Sequence, residues 1–265
     1  MRALLTAFAL SAALATQTPA FADADPGSAS EIGLTWSEGL FYVPSGDKVL
    51  RGKIGKELSG IAPSSPVPAV VFMHGCDGIS SVPKRSAKIY SEAGYAVFLP
   101  DSFARTNKPL SCNPLTAQGS LHREVLGWRQ AEATHAVEQV RDLDWIQQDN
   151  VFLVGHSEGA ITAATYEGPP VSARIVEGWT CHAGWPEYHG LKAPASEPVL
   201  SLVGELDPWF QLAVLKGHCG RFMNQDNGSR SVVYKRPHML ADKHYLIYNR
   251  EARDIALGFL AEHMK

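Results

Sequence analysis

The turn Gly155-His156-Ser157-Glu158-Gly159 is the part of the chain best suited to chemistry. An apolar run, Val151–Val154, leads into it, and small residues typical of a helix start follow. Glycines on both sides of Ser157 allow a tight strand-to-helix bend in which a Cβ would collide. Such a bend raises the hydroxyl beside a helix N-terminus, where free N–H groups meet developing negative charge. The pattern favours Ser157 as an acyl-transfer nucleophile over the alternative, a glycine-rich turn with a helix-capping serine.

A serine nucleophile needs a base to take its proton and an acid to orient that base. In an open parallel sheet, both should follow the C-terminal ends of later strands. The apolar strand predicted at 198–204 is followed by Glu205 and Asp207. We predict Asp207 as the acid and keep Glu205 as the alternative. Asp207 precedes Pro208, so a helix N-cap is its structural alternative.

Two histidines follow the last predicted strand, residues 231–235. His238 lies immediately past the strand, where the chain turns back over the sheet, and we therefore predict it as the general base. His244 is the alternative base, with the other histidine then in a structural role.

The negative charge that forms during acyl transfer needs two backbone N–H donors aimed at one point. One is expected from Glu158, the residue after the nucleophile. The other is expected from Cys76, in the glycine-containing loop 74–78 that follows the strand predicted at 67–74. These two N–H groups form the predicted oxyanion hole.

The four cysteines are consistent with two disulfides in an oxidising compartment. We favour Cys76–Cys112 and Cys181–Cys219, because each pair would link neighbouring loops at one end of the sheet. Four buried free thiols are the alternative. The spacing resembles no zinc site, so we expect neither a metal nor a cofactor.

Residues 1–22 are typical of a secretory signal peptide, and we expect cleavage after Ala22. They have a charged start, a short apolar run and an Ala-x-Ala box. The remainder, 23–265, suits a single α/β domain in the periplasm or the medium. With a net charge of −3 and scattered Lys and Arg, the chain shows no nucleic-acid footprint and no membrane patch. The oligomeric state is left open.

Strands and helices alternate along the chain, which predicts a mostly parallel, doubly wound sheet with helices on both faces. A hairpin at about 40–54 is expected at the sheet edge, and residues 23–38 are expected to form a loose arm. Further strands are predicted at 95–101, 151–154 and 173–179. Helices are predicted at 82–94, 121–142 and 248–263.

The chain resembles the dienelactone hydrolase family of the α/β-hydrolase superfamily from about Pro66 to the C-terminus. The resemblance lies in five segments, whose residues are Val70–Gly75, Gly94–Asp101, Val151–Gly159, Leu202–Asp207 and Tyr248–Ala252. It implies an α/β-hydrolase fold, ester hydrolysis and a Ser, Asp, His order of catalytic residues. The founding enzymes of the family use a cysteine nucleophile, so Ser157 points to serine esterase relatives and away from dienelactone as substrate.

No long amphipathic insertion predicts a lid, so small soluble esters or polymer-chain esters are expected before large triglycerides. Trp179, Trp185 and Trp209 are candidates to line an acyl or aromatic pocket, with plain packing as the alternative. Arg105, Arg123 and Arg129 are weaker candidates for a substrate carboxylate, because paired or solvated arginines are the commoner case. We therefore expect a secreted serine hydrolase that forms an acyl-enzyme. A peptidase or acyltransferase, or a silent binding protein on the same fold, are the alternatives.

Overall fold

The computed structural model of the protein describes residues 25–119 and 121–265. The predicted signal peptide, residues 1–22, lies outside these ranges. Among the described residues, no helix has the length and hydrophobicity that crossing a membrane requires.

One eight-stranded sheet forms the centre of the molecule, in the order β2-β1-β4-β3-β5-β6-β7-β8. Its strands are β1 (Leu40–Ser45), β2 (Lys48–Lys53), β3 (Val67–Met73), β4 (Ala96–Leu99), β5 (Ile146–His156), β6 (Arg174–Glu177), β7 (Val199–Gly204) and β8 (Arg230–Tyr234). Strand β1 runs antiparallel to β2 and β4, and the six strands from β4 to β8 run parallel. The predicted edge hairpin and parallel sheet are confirmed.

Six α-helices accompany the sheet in the described ranges: α1 (Ala29–Ser37), α2 (Ile54–Glu57), α3 (Ser81–Glu92), α4 (Val125–Arg141), α5 (Glu158–Thr165) and α6 (Arg250–Glu262). Alternate residues of β3 enter two separate cores: Val71 packs on the face of α4 and α5, and Val70 packs on the face of α3 and α6. Because both faces are covered, the central strands are continuously apolar, as the sequence pattern indicated. No inserted lid stands over the described part of the sheet.

The expectation of a loose arm over 23–38 is wrong, because the described part of that segment contains helix α1. Ser28 caps this helix by accepting the N–H of Glu31. Trp36 stacks on Phe98 of β4 with the ring centres 5.6 Å apart. Helix α1 was not predicted because its segment is polar and contains glycine, and because its apolar contact is with a strand far along the chain.

Both predicted disulfides, Cys76–Cys112 and Cys181–Cys219, are confirmed. The first joins the loop after β3 to the loop after β4. The second joins the loop after β6 to the loop after β7. All four loops leave the C-terminal ends of parallel strands, so both disulfides stabilise the same edge of the sheet.

Candidate active site

Ser157 lies on a strained turn between β5 and α5. Its φ of 58° and ψ of −120° fall outside the regions that most residues adopt. A Cβ on Gly155 would lie 2.0 Å from the carbonyl oxygen of Gly159, and a Cβ on Gly159 would lie 2.0 Å from that of Met73. No side chain fits at either position. The two glycines of the motif are therefore required by the close approach of β5, α5 and β3.

Asp207 and His244 form a buried hydrogen-bonded pair at the same edge of the sheet. The imidazole Nδ1 lies 2.7 Å from Asp207 Oδ2, and both side chains are almost fully buried. Asp207 Oδ1 also accepts the N–H of Trp209 at 3.0 Å, so its capping role coexists with its contact to His244. The other ring nitrogen, His244 Nε2, is buried and has no hydrogen-bond partner among the described residues. It is the nitrogen available to take a proton.

The prediction that Asp207 orients His238 is not met. His238 Nε2 instead contacts Glu251 Oε2 at 3.0 Å on the partly exposed surface. A turn directly after β8, in which the N–H of His238 donates to the carbonyl oxygen of Lys235, directs the residue away from Asp207. The structure brings the alternative base, His244, to Asp207. The alternative acid, Glu205, is exposed and forms no ion pair within the described residues.

Aromatic rings surround His244. Trp209 stacks on the imidazole at 5.4 Å and 26°. His156, next to the nucleophile, packs edge-on against it at 4.9 Å, and its Nε2–H donates to the His244 carbonyl oxygen at 3.2 Å. Burial and the neighbouring His244 hold the pKa of His156 well below its usual range. His156 therefore acts here as a neutral spacer between the elbow and the His244 loop.

The three tryptophans predicted to line a pocket fall into different places. Trp209 borders the site, as just described. Trp179 is buried and packs against Phe210, whose ring lies 5.8 Å from His244. Trp185 packs on Tyr188 at 5.3 Å, and its ring makes no aromatic contact with His244 among the described residues. Of the three, Trp209 makes the direct contact with the Asp207–His244 pair.

The two predicted oxyanion-hole residues both lie close to the nucleophile. Glu158 is the first residue of α5, so its N–H has no partner inside the helix. Cys76 follows Gly75, where an added Cβ would lie 3.2 Å from the Cβ of Ser157. The loop carrying Cys76 therefore passes directly over Ser157, and glycine at position 75 permits that approach.

A buried polar network lies beneath this loop. Arg129, wholly buried in α4, donates to the carbonyl oxygen of His74 at 2.5 Å and lies 3.4 Å from Glu158 Oε1. The hydroxyl of Ser111, beside the disulfide residue Cys112, also donates to the Glu158 carboxylate. Burial raises the pKa of Glu158, and the guanidinium of Arg129 opposes that rise. Arg129 thus contacts both segments that carry the candidate oxyanion donors, at His74 in the Cys76 loop and at Glu158.

His74 is neutral and locked in a single tautomer by two backbone contacts. Its Nδ1–H donates to the carbonyl oxygen of Gly75 at 2.7 Å, and its Nε2 accepts the N–H of Ser102 at 3.1 Å. Complete burial and the charge of Arg129 hold the pKa of His74 well below its usual range. The ring therefore fixes the start of the Cys76 loop.

None of the three arginines considered for a substrate carboxylate is free. Arg129 is paired with Glu158, Arg105 contacts buried Glu132 at 2.7 Å, and Arg123 contacts Glu187 at the surface. The role of Arg129 was not predictable from the sequence, because a helix position alone does not disclose a partner on another element. Over the described ranges, no group of three or more His, Cys, Asp or Glu side chains is arranged to hold a metal ion.

Glu177, at the end of β6, is a second residue that the sequence analysis missed. Its backbone carbonyl accepts the N–H of Ser157 at 2.9 Å. Its buried carboxylate accepts the N–H groups of Leu246 at 2.6 Å and Ile247 at 2.9 Å, just beyond His244. The signal in the sequence was a carboxylate that ends the apolar run Ile175–Val176.

Sequence comparison matches the chain to no protein-family model and to no curated protein. Solved structures do match. A dienelactone hydrolase-like promiscuous phosphotriesterase from metagenomic libraries has a TM-score of 0.57 and 17% identity, covering 86% of this chain and 98% of that one. A proposed dienelactone hydrolase from Klebsiella pneumoniae subsp. pneumoniae has a TM-score of 0.54 and 17% identity, covering 85% and 97%.

A phospholipase/carboxylesterase from Dyadobacter fermentans has a TM-score of 0.53 and 17% identity, covering 74% of this chain and 90% of that one. All three similarities extend over most of both chains, while the sequences have diverged widely. They therefore agree on architecture. The chain has the α/β-hydrolase fold seen in dienelactone hydrolase-like structures.

Proposed function

We propose that this protein is a secreted serine hydrolase that cleaves carboxylic esters through an acyl-enzyme, with Ser157, His244 and Asp207 as its catalytic residues. The observation that carries the proposal is the buried Asp207–His244 hydrogen bond of 2.7 Å, with Nε2 unpartnered beside the strained Ser157 turn. A structural histidine would be expected to use both ring nitrogens when buried. A catalytic base leaves one nitrogen for the nucleophile.

The acylation step follows from these positions. Ser157 Oγ attacks the ester carbonyl carbon while its proton moves to His244 Nε2, and Asp207 stabilises the imidazolium. The carbonyl oxygen gains negative charge and accepts the N–H groups of Cys76 and Glu158. As the tetrahedral intermediate collapses, His244 gives its proton to the leaving alcohol oxygen, and the acyl group remains on Ser157.

Deacylation repeats the sequence with water. The water oxygen attacks the acyl carbon while His244 takes a proton from the water, and the same two N–H groups stabilise the second oxyanion. His244 then returns the proton to Ser157, which leaves as the hydroxyl. Each oxyanion-hole donor in such sites is worth roughly a hundredfold or more in rate. The Arg129–Glu158 contact supports this part of the proposal, because it holds one donor in place before substrate binds.

The names of the structural neighbours, which include a carboxylesterase and dienelactone hydrolase-like enzymes, support an ester as the substrate class. The two disulfides support an oxidising compartment, in line with the predicted signal peptide. A serine nucleophile suits that compartment better than an exposed reactive thiol. Small soluble or polymer-chain esters remain the proposed substrates.

A fluorophosphonate probe tests the proposal directly. It should label the protein but not the Ser157→Ala variant, and a p-nitrophenyl ester panel from acetate to laurate should show turnover that the variant lacks. Peptide anilides in the same panel test the peptidase alternative. Equal labelling of both proteins, or of neither, would refute the role of Ser157.

A further inference from the structure

Asp77 is an exposed carboxylate beside the nucleophile that the proposed mechanism does not use. A carbon placed on Gly75 would lie 3.2 Å from the Cβ of Ser157 and 3.3 Å from Asp77 Oδ1, so both side chains border one small space. Across residues 25–119 and 121–265, the Asp77 carboxylate takes part in no side-chain hydrogen bond and no ion pair. Its charge is therefore available to whatever occupies that space.

The charge of Asp77 reaches groups on both sides of the site. Burial raises the pKa of Tyr245, the residue after His244, and the Asp77 carboxylate adds to that rise. Burial likewise raises the pKa of Glu158, the residue after Ser157, with Asp77 again adding to it. The Asp77 carboxylate is therefore close enough to influence a neighbour of the base and a neighbour of the nucleophile.

A carboxylate in this position works against the proposed reaction unless the substrate compensates for it. Negative charge develops beside the N–H of Cys76, the residue next to Asp77, and like charges repel. A positive charge on the substrate would offset this repulsion and be attracted to Asp77 in both ground and transition states.

The neighbouring ring of Tyr245 is suited to such a cation. It stacks on His156 at 4.8 Å, and the residue is 40% exposed. An aromatic face beside a carboxylate is the combination that binds ammonium groups. The face of Tyr248 is already covered by Arg85, whose guanidinium carbon lies 4.1 Å from the ring centre. Tyr245, whose ring also stacks on Tyr248 with the ring centres 6.4 Å apart, therefore offers its exposed part to a substrate, and the Asp77 carboxylate supplies the main attraction for a cation.

We infer that Asp77 selects esters whose leaving alcohol carries an ammonium group and disfavours esters that carry a carboxylate there. The leaving-group side is indicated because Tyr245 adjoins His244, which protonates the leaving oxygen. This inference rests on the proposed function and specifies its substrate class. It also sets this site apart from one that would recognise an anionic substrate, since the arginines considered for that task are paired elsewhere.

Three thioesters of similar length and different charge test the inference. They are acetylthiocholine, its neutral isostere S-(3,3-dimethylbutyl) thioacetate, and anionic S-acetyl-4-mercaptobutanoate. For the wild type, kcat/KM should fall in that order, with about a three- to tenfold step for each charge at low salt. Added salt should reduce both steps.

The Asp77→Asn variant should bring both ratios close to one, and its kcat/KM for the neutral ester should not fall. Asp77→Lys should reverse the order. Because Asp77 is exposed, both variants should melt at the wild-type temperature. Unchanged ratios in Asp77→Asn would overturn the inference while leaving the ester hydrolase proposal intact.

If none of the thioesters turned over, the hydrolase proposal would fail separately. The rates at which cationic and neutral organophosphonates inactivate Ser157 would then decide the inference, because phosphonylation needs no turnover. A cationic preference that Asp77→Asn abolishes would support it, and equal rates for both reagents in the wild type would overturn it.

Discussion

Glu177 connects the nucleophile to the loop that carries the base. Its carbonyl oxygen accepts the N–H of Ser157 at 2.9 Å, while its buried carboxylate accepts the N–H groups of Leu246 and Ile247. One residue at the end of β6 therefore sets the separation between the Ser157 turn and His244. We regard Glu177 as a positioning residue, since it acts through these backbone groups.

Two replacements of Glu177 should distinguish the effect of its hydrogen bonds on kcat from the effect of its charge. Glu177→Gln keeps an acceptor oxygen, so kcat should stay within about tenfold of the wild type. Glu177→Met leaves two buried N–H groups unpaired, at about 1–3 kcal/mol each, and kcat should fall much further with little change in KM. Steady-state kinetics with thermal melts check this, and Glu205→Met, at an exposed carboxylate, is the matched control. Equal losses in the Gln and Met variants would contradict the hydrogen-bonding role.

Arg129 should matter far more than a surface arginine of the same type. Arg129→Met leaves the Glu158 carboxylate buried without its partner, which typically costs about 3–5 kcal/mol. Arg123→Met breaks exposed contacts to Glu187, worth about 0–1 kcal/mol, and to the ring of Trp185, worth about 0.5–1 kcal/mol. Urea unfolding of the two variants compares these losses. Similar free energies of unfolding for both would show that the buried network does not stabilise the site.

The two disulfides should differ in their effect on activity. Removing either typically costs about 2–5 kcal/mol of stability. Only Cys76 carries a proposed oxyanion donor, and serine keeps that backbone N–H. Cys76→Ser/Cys112→Ser should therefore lower kcat in the folded protein by releasing the loop that positions the donor. Cys181→Ser/Cys219→Ser should keep kcat near the wild type below its melting temperature. A matched kcat in both double variants would show that the Cys76–Cys112 disulfide does not position this donor.

His74 should make stability fall under mild acid. Its folded-state pKa is held well below the ordinary value of 6.5 by burial and by Arg129. A group with a depressed folded pKa contributes stability that is present above its unfolded pKa and lost as pH falls below it. The free energy of unfolding should therefore decrease from pH 7.5 to 5.5 more steeply in the wild type than in His74→Gln. Parallel slopes would assign the acid sensitivity to other groups.

The sequence predicted the sheet, the elbow and both disulfides because these depend on local patterns: apolar runs, glycine spacing and loop order. It did not select the correct histidine contact to Asp207. His238 and His244 are six residues apart. Which of them reaches Asp207 depends on a turn after β8 and on the hydrogen bonds that residues 246 and 247 donate to the Glu177 carboxylate. The Arg129 network and helix α1 escaped prediction for the same reason, since their partners lie far away in the chain.

The kinetics of His244→Asn and His238→Asn distinguish the proposed base from the residue that the sequence favoured. Both variants should be folded, as judged by melting temperature, and assayed on the same p-nitrophenyl ester. We expect kcat to fall by three or more orders of magnitude in His244→Asn, on the order of losses seen when a member of a catalytic triad is removed. His238→Asn, which loses only a partly exposed contact to Glu251, should stay within about threefold of the wild type. Wild-type turnover in His244→Asn together with a collapse in His238→Asn would contradict the Ser157–His244–Asp207 assignment.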